Sequence, residues 1–422
     1  MAQQLETPLT AETERHINGG EKPAPISGHG TTEPRPMRRK SPKSPRPPEF
    51  DCIALLLQGG GALGAYQAGV YQALAEADLQ PHWVAGISIG GINAAIIAGN
   101  PPESRVDRLR EFWELVTQAQ LLGLDSWIAG QKMTGDITRS LLNQASASAA
   151  MFQGVQHFFK PRLPPPWFLP DGALGATSFY DTAPLRGTLE RLIDFDRINS
   201  DDIRLSMGTV NVTTGNFVYF DTTTHTIGPE HVMASGALPP GFPPIEIEGE
   251  YYWDGGLVSN TPLQWVVQEG PSQDTLIFQV DLWSARGKLP GNLAEVATRQ
   301  KEIQFSSRTR AATDWFKRVK SVRGALAKLL PQLPDALKNT PEARLLNAIA
   351  DRSVYNIVHL IYRARNYEGH SKDCEFSRLT MEEHWRAGYN DTIRTLRHPE
   401  VLERPDNVEG LMTFDLAVDG RE

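Results

Sequence analysis

Two stretches near the front of this 422-residue chain, residues 52–75 and 79–102, contain no Asp, Glu, Lys or Arg. Uncharged runs of that length belong in a bilayer or inside a protein. Each is broken by glycine clusters and by polar residues, among them Gln58, Gln67, Gln72, His82, Ser88 and Asn93. Neither supplies the roughly 20 bulky apolar residues that a membrane span requires. They fit strands buried on both faces, each followed by a buried helix, which is the pattern of an α/β protein with a parallel sheet. Cys52 to Leu57 reads as the first strand, followed by a glycine loop and a helix spaced by Tyr66, Val70 and Leu74. Trp83 to Ile87 reads as the second, feeding a helix over Ile89 to Ala98.

The corner between that second strand and its helix is Gly86-Ile87-Ser88-Ile89-Gly90, a G-x-S-x-G sequence. A serine held in such a turn projects its hydroxyl above the sheet, and Gly86 and Gly90 let strand and helix approach without side-chain clashes. By itself the pattern also fits a turn without chemistry. The preceding loop, Gly59-Gly60-Gly61-Ala62-Leu63-Gly64, can aim backbone N–H groups at an anion beside a helix N-terminus. A dinucleotide pyrophosphate would call for an acid at the end of the next strand, about 20 residues on. That strand ends in Ser88, and Asp78 precedes it in the connecting turn. A Walker loop would need Gly-Lys-Ser/Thr, which does not follow. The anion left is the oxyanion formed when Ser88 attacks a carbonyl.

A serine needs a base. Asp221 followed by His225 or His231, and the later His359, His370, His384 and His398, would follow the order of an α/β-hydrolase triad, but none sits at a convincing strand end. Asp254 follows Tyr251-Tyr252-Trp253, a strand edge shielded from water, and precedes Gly255 and Gly256, which leave room for a partner. Desolvation would raise its pKa and make it a better base. Taken alone, Asp-Gly-Gly also reads as a turn.

In this order, residues 59–64, 86–90 and 254–256 make the chain resemble the patatin-like phospholipase family. The likeness covers about residues 53–285 and includes Ala234-Ser235-Gly236-Ala237-Leu238-Pro239-Pro240. It implies a three-layer α/β/α fold and a Ser-Asp dyad, with Ser88 as nucleophile and Asp254 as general base. It also implies an oxyanion hole built from N–H groups of Gly59, Gly60, Gly61 and Gly64, and no metal or cofactor. Leu63 stands where many members carry Arg or Lys. Phe376-Ser377-Arg378 with His384-Trp385 is similar to the C-terminal extension of a bacterial subgroup. The expected reaction is hydrolysis of lipid esters through an acyl-serine. An acyltransferase, a hydrolase of non-lipid esters or polyesters, and a noncatalytic lipid-binding protein on the same fold remain alternatives.

Three regions are expected: a disordered Pro-rich basic tail over 1–49, a hydrolase domain over 50–287, and a helical C-terminal extension over 288–422. Within the second, residues 123–184 lose periodicity and gather aromatics, which suits a lid or lipid-facing rim. In the third, residues 299–328 form a basic amphipathic stretch that either lies on anionic lipid or packs on its neighbour. The formal net charge of -8 argues against a nucleic-acid partner. Two cysteines, Cys52 and Cys374, make no disulfide framework, and with no secretory signal evident a cytoplasmic protein, in peripheral contact with a membrane at most, is expected. The oligomeric state is not legible.

Overall fold

The computed structural model describes residues 50–117, 136–200, 202–269, 273–306, 309–365, 367–407 and 409–416. The tail expected over 1–49 and the first part of the expected lid lie outside these residues. Among the described residues nine strands form one sheet: β1 (Cys52–Leu57), β2 (Trp83–Ile87), β3 (Arg204–Asn211), β4 (Phe217–Asp221), β5 (Ile245–Ile247), β6 (Glu250–Asp254), β7 (Thr275–Asp281), β8 (Tyr355–Ile361) and β9 (Leu411–Phe414). Their order is β9-β8-β7-β1-β2-β3-β6-β5, with β4 paired to β3. The run from β9 to β3 is parallel, and the remaining pairs are antiparallel.

The uncharged runs form the centre of this sheet. All six residues of β1 are buried, as a strand covered on both faces requires. Ile53, Leu55 and Leu57 point into the core under helices α1 (Ala65–Glu76), α2 (Ile89–Ala98) and α3 (Arg105–Val116). Cys52, Ala54 and Leu56 point the other way, toward Leu263, Val266 and Phe316. Alternating faces and two helical layers give the expected α/β/α arrangement with a mainly parallel sheet.

The segment expected as a helical extension also adds β8 and β9 to the sheet, beside β7. Strand β8 escaped sequence reading because Asn356 and His359 interrupt an apolar run set among helical, charged neighbours. After helices α4 (Asp136–Gln153), α5 (Ala183–Leu192), α6 (Pro229–Ser235) and α7 (Leu263–Glu269), the basic stretch over 299–328 belongs to α8 (Leu293–Phe305) and α9 (Thr309–Leu329). On α9, Phe316 packs edge-on against Tyr355, and Lys320 is buried against Asp351 at 2.8 Å. That face covers the sheet. A last helix, α10 (Arg378–Thr395), lies across α1.

Candidate active site

Ser88 sits at the first turn of α2 with φ 58° and ψ −128°. A positive φ at a non-glycine residue costs about 1–3 kcal/mol and persists only where the surroundings impose it. They do so here. The Ser88 N–H donates to both the carbonyl and the Oγ of Ser235, each at 3.1 Å, and the Ser235 hydroxyl donates to the Gly208 carbonyl at 2.9 Å. A Cβ on Gly86 would collide with the Gly90 carbonyl, and one on Gly90 with the Leu57 carbonyl. The two glycines of the motif are therefore required by backbone contact at the corner.

Sheet register brings Asp254 alongside. Ile87 pairs with Gly208 of β3, and the next residue of β3, Thr209, pairs with Asp254. Strand β6 runs antiparallel to β3 and stops at the level where β2 stops. Asp254 is 1% exposed, and its Oδ1 accepts from the Gly256 N–H at 2.7 Å. Burial pushes the carboxyl from an ordinary 3.8 up to about 7, against the lowering pull of hydrogen bonds from Ser88 and Gly256. Such a group is half ionised near neutrality and exchanges a proton readily there. Gly255 turns the chain against the Gly208 carbonyl, where any side chain would clash.

The glycine loop lies beside Ser88 because β1 and β2 are adjacent and parallel, with Leu57 opposite Gly86. Its Gly59 carbonyl accepts from Asn260 Nδ2 and from Trp283 Nε1, each at 2.9 Å. The peptide that follows is trans, so a carbonyl held on one side sends the Gly60 N–H to the other. Among the described residues no acceptor takes the N–H of Gly60 or Gly61. Gly64 does not border the cavity. A Cβ there would press on Ile89 and Trp113, and its carbonyl accepts from Asn93 Nδ2 at 3.0 Å. At that position it serves the close packing of α2 and α3. Leu63 is fully buried.

Ser88, Asp254 and Gly59 to Gly61 share the wall of a cavity of about 310 Å³. The rest of the lining is mostly apolar and aromatic: Ile92, Phe158, Phe159, Leu238, Phe242 and Phe376 are representative. Tyr180 and Met151, from the expected lid segment, also border it. The segment's described part is a helix, Asp136–Gln153, followed by a largely irregular stretch on which Leu163, Trp167 and Phe168 are 88%, 68% and 73% exposed. None of the histidines weighed as bases reaches this cavity. Asp221 is committed to Arg204, Ser206 and Thr223, and His384 lies against Glu368. Among the described residues, no cluster of His, Cys, Asp and Glu could hold a metal ion.

A family model described as patatin-like phospholipase matches residues 55–266, half of the chain. The chain belongs to the patatin-like phospholipase family. A second family model, described as patatin phospholipase, matches residues 303–408. A patatin-like phospholipase domain-containing protein of Caenorhabditis elegans is 34% identical over 109 residues, which is 26% of this chain and 7% of that protein. Among solved structures, VipD from Legionella pneumophila is similar at 16% identity and a TM-score of 0.38, over 88% of this chain and 72% of that one. The complex of SpcU with ExoU from Pseudomonas aeruginosa contains a chain similar at 18% identity and a TM-score of 0.24, over 69% and 58%.

Of the residues expected from the sequence, Ser88, Asp254, Gly59, Gly60, Gly61 and Gly256 line one cavity, while Gly86, Gly90 and Gly255 shape the turns behind it. Sequence reading gave no role to Ser235, Asn260 or Trp283, and it missed the cavity residues Lys301, Phe305 and Asp373 from the last third of the chain. Asn260 stands in the Asn-Thr-Pro that follows the Asp-Gly-Gly, a local pattern that signals a helix start and nothing of its partner at Gly59.

Proposed function

We propose that the protein is a serine hydrolase of lipid esters that works through Ser88 and Asp254. Asp254 takes the proton as the Ser88 hydroxyl attacks the ester carbonyl, and the N–H groups of Gly60 and Gly61 receive the oxyanion. The carbonyl re-forms as the alcohol departs with the proton from Asp254, leaving an acyl-Ser88. Water, deprotonated by Asp254, then attacks the acyl group, and the proton passes from Asp254 to Ser88 Oγ as that bond breaks and the carboxylic acid leaves. The observation that carries this reading is a raised-pKa carboxyl touching a strained serine in the wall of an apolar cavity. The apolar lining supports an acyl chain as the group held beside the serine.

The reading extends to peripheral contact with a lipid surface. Leu163, Trp167 and Phe168 stand exposed on the segment whose Met151 and Tyr180 border the cavity, and exposed apolar patches mark interaction sites. Among the described residues no helix is long and apolar enough to cross a membrane.

The test is a panel of phospholipids, lysophospholipids and neutral esters read by mass spectrometry of the products, with fluorophosphonate labelling of the serine. Wild type should release fatty acid and be labelled at Ser88. Ser88→Ala should lose both, with turnover down by about 10⁶, the scale set by catalytic serines. Retention of wild-type esterase activity by Ser88→Ala would overturn the assignment. Acyl transfer to an added alcohol in place of free acid would convert the reading to an acyltransferase, and lipid binding without labelling would convert it to a noncatalytic binder.

A further inference from the structure

The loop that carries the Gly60 and Gly61 N–H groups has few ties within its own stretch of chain. Its carbonyl at Gly59 is held by Asn260 and Trp283. Asn260 Nδ2 also donates to the Phe305 carbonyl at 2.9 Å, and Gln58 Nε2 donates to the same carbonyl at 3.1 Å. The Gln58 Oε1 accepts from the N–H groups of Leu282 and Trp283 at 2.6 and 3.0 Å. Phe305 is the last residue of α8. One turn earlier on that helix, Lys301 pairs with Asp373 at 2.6 Å and Glu302 with Lys372 at 2.8 Å. The backbone carbonyl of Asp373 in turn lies against Gly61, so closely that a Cβ on that glycine would collide with it. The indole of Trp283 fills the space between, with the Lys301 and Lys372 ammonium groups 5.8 and 5.1 Å from its ring.

We infer that α8 and the turn at Lys372–Cys374 form a brace that positions the glycine loop for the reaction proposed above. The last third of the chain is on this account a working part of the site. Trp283, Lys301 and Asp373 are its positioning residues. Trp283 and Asn260 fix the direction of the Gly59 carbonyl, and through the rigid peptide plane that of the Gly60 N–H. The two ion pairs hold the turn that lays the Asp373 carbonyl against Gly61. Their side chains are largely covered, which limits screening by salt, and each lysine is also held by the indole face. A loop freed from the brace would still bind an ester, but it would present its donors poorly to the oxyanion. The loss should therefore appear in kcat rather than in KM.

The inference rests on the hydrolase reading, and the experiment separates the two. Full-length Trp283→Phe keeps an aromatic ring in place and removes the Nε1 donor together with the second ring of the indole; Lys301→Met removes one ion pair, and Lys301→Arg restores it. With p-nitrophenyl acetate, a soluble ester too small to need the apolar cavity, Trp283→Phe and Lys301→Met should each lower kcat about three- to tenfold, the scale of one hydrogen bond or partly buried pair, and leave KM within roughly twofold. Fluorophosphonate labelling should slow in parallel, and Lys301→Arg should recover most of the turnover. Amide hydrogen exchange over residues 58–64 should accelerate in the two damaging variants, a readout independent of turnover. Wild-type kcat and wild-type exchange in both variants, whatever their melting temperatures, would overturn the brace, as would a loss confined to KM. A wild-type protein that neither hydrolyses nor labels would sink the hydrolase reading, while the exchange measurement would still decide whether the loop is braced.

Discussion

At the scale of single residues, the proposed chemistry depends on one proton. Burial is the largest influence on the Asp254 carboxyl, ahead of the hydrogen bonds from Ser88 and Gly256. The base must be ionised to accept the serine proton, so the protonated fraction is inactive. With its pKa near 7 in the folded protein, kcat/KM for a neutral ester should rise about tenfold per pH unit below that value and level off above it. An ordinary aspartate, titrating near 3.8, would leave the rate flat between pH 5 and 8. The check is a pH profile of kcat/KM with p-nitrophenyl butyrate, and a flat profile across that interval would remove Asp254 as a base of raised pKa. The strain at Ser88 has the same logic. Its φ of 58° is imposed by Ser235 and by the closeness of the Gly86 and Gly90 backbones, so the hydroxyl is aimed before any substrate arrives.

At the scale of elements, local signals were legible and distant ones were not. The loop at 59–64, the corner at 86–90 and the turn at 254–256 each announce themselves within a few residues, because a strained or crowded backbone demands glycine on the spot. Gly64 belongs to the same run and serves packing, a distinction that depends on Ile89 and Trp113 and hence on tertiary structure. The clamp from Asn260 to Gly59 spans 201 positions, and no local pattern encodes such a pairing. The crossing of α1 and α10 escaped notice for the same reason. Gly69 lies against the Trp385 carbonyl and Gly388 against the Tyr66 carbonyl, backbone on backbone, yet each is a lone glycine in a helix when read from the chain. Two opposing effects decide what a substitution there does. Replacing a helical glycine gains up to about 1 kcal/mol in helix propensity, while overpacking a close contact costs about 1–3 kcal/mol. At Gly388 the clash is with rigid backbone, so Gly388→Val should lower stability by roughly 1–2 kcal/mol. At Gly324 in α9 nothing lies within 4 Å of the added carbon, and Gly324→Ala should raise stability by about 0.5–1 kcal/mol. Thermal melts of both variants check the pair; a stabilising Gly388→Val would mean that the helices do not meet at that point.

At the scale of the whole molecule, the last third of the chain completes the fold as well as the site. Strand β7 is buried along its full length only because β8 pairs with it, and β9 closes the sheet beyond. Helix α10 covers α1, where Trp385 Nε1 donates to Gln72 at 2.6 Å, Tyr389 to Glu76 at 2.7 Å and the fully buried Tyr66 to Asp391 at 3.0 Å. Cutting at the boundary suggested by the sequence would therefore expose a long parallel edge that is otherwise fully buried, a known route to aggregation, and would leave the Tyr66 hydroxyl without its acceptor. It would also remove the Phe305 carbonyl that both Gln58 and Asn260 use. A fragment of residues 50–287 should be insoluble or should melt without a cooperative transition, and residues 50–422 should unfold in a single step. Size-exclusion chromatography and calorimetry of the two chains decide the matter. A monomeric 50–287 fragment with a cooperative melt close to that of the longer chain would show that the sheet is stable without β8 and β9, and the site would then have to be rebuilt around a loop that holds itself.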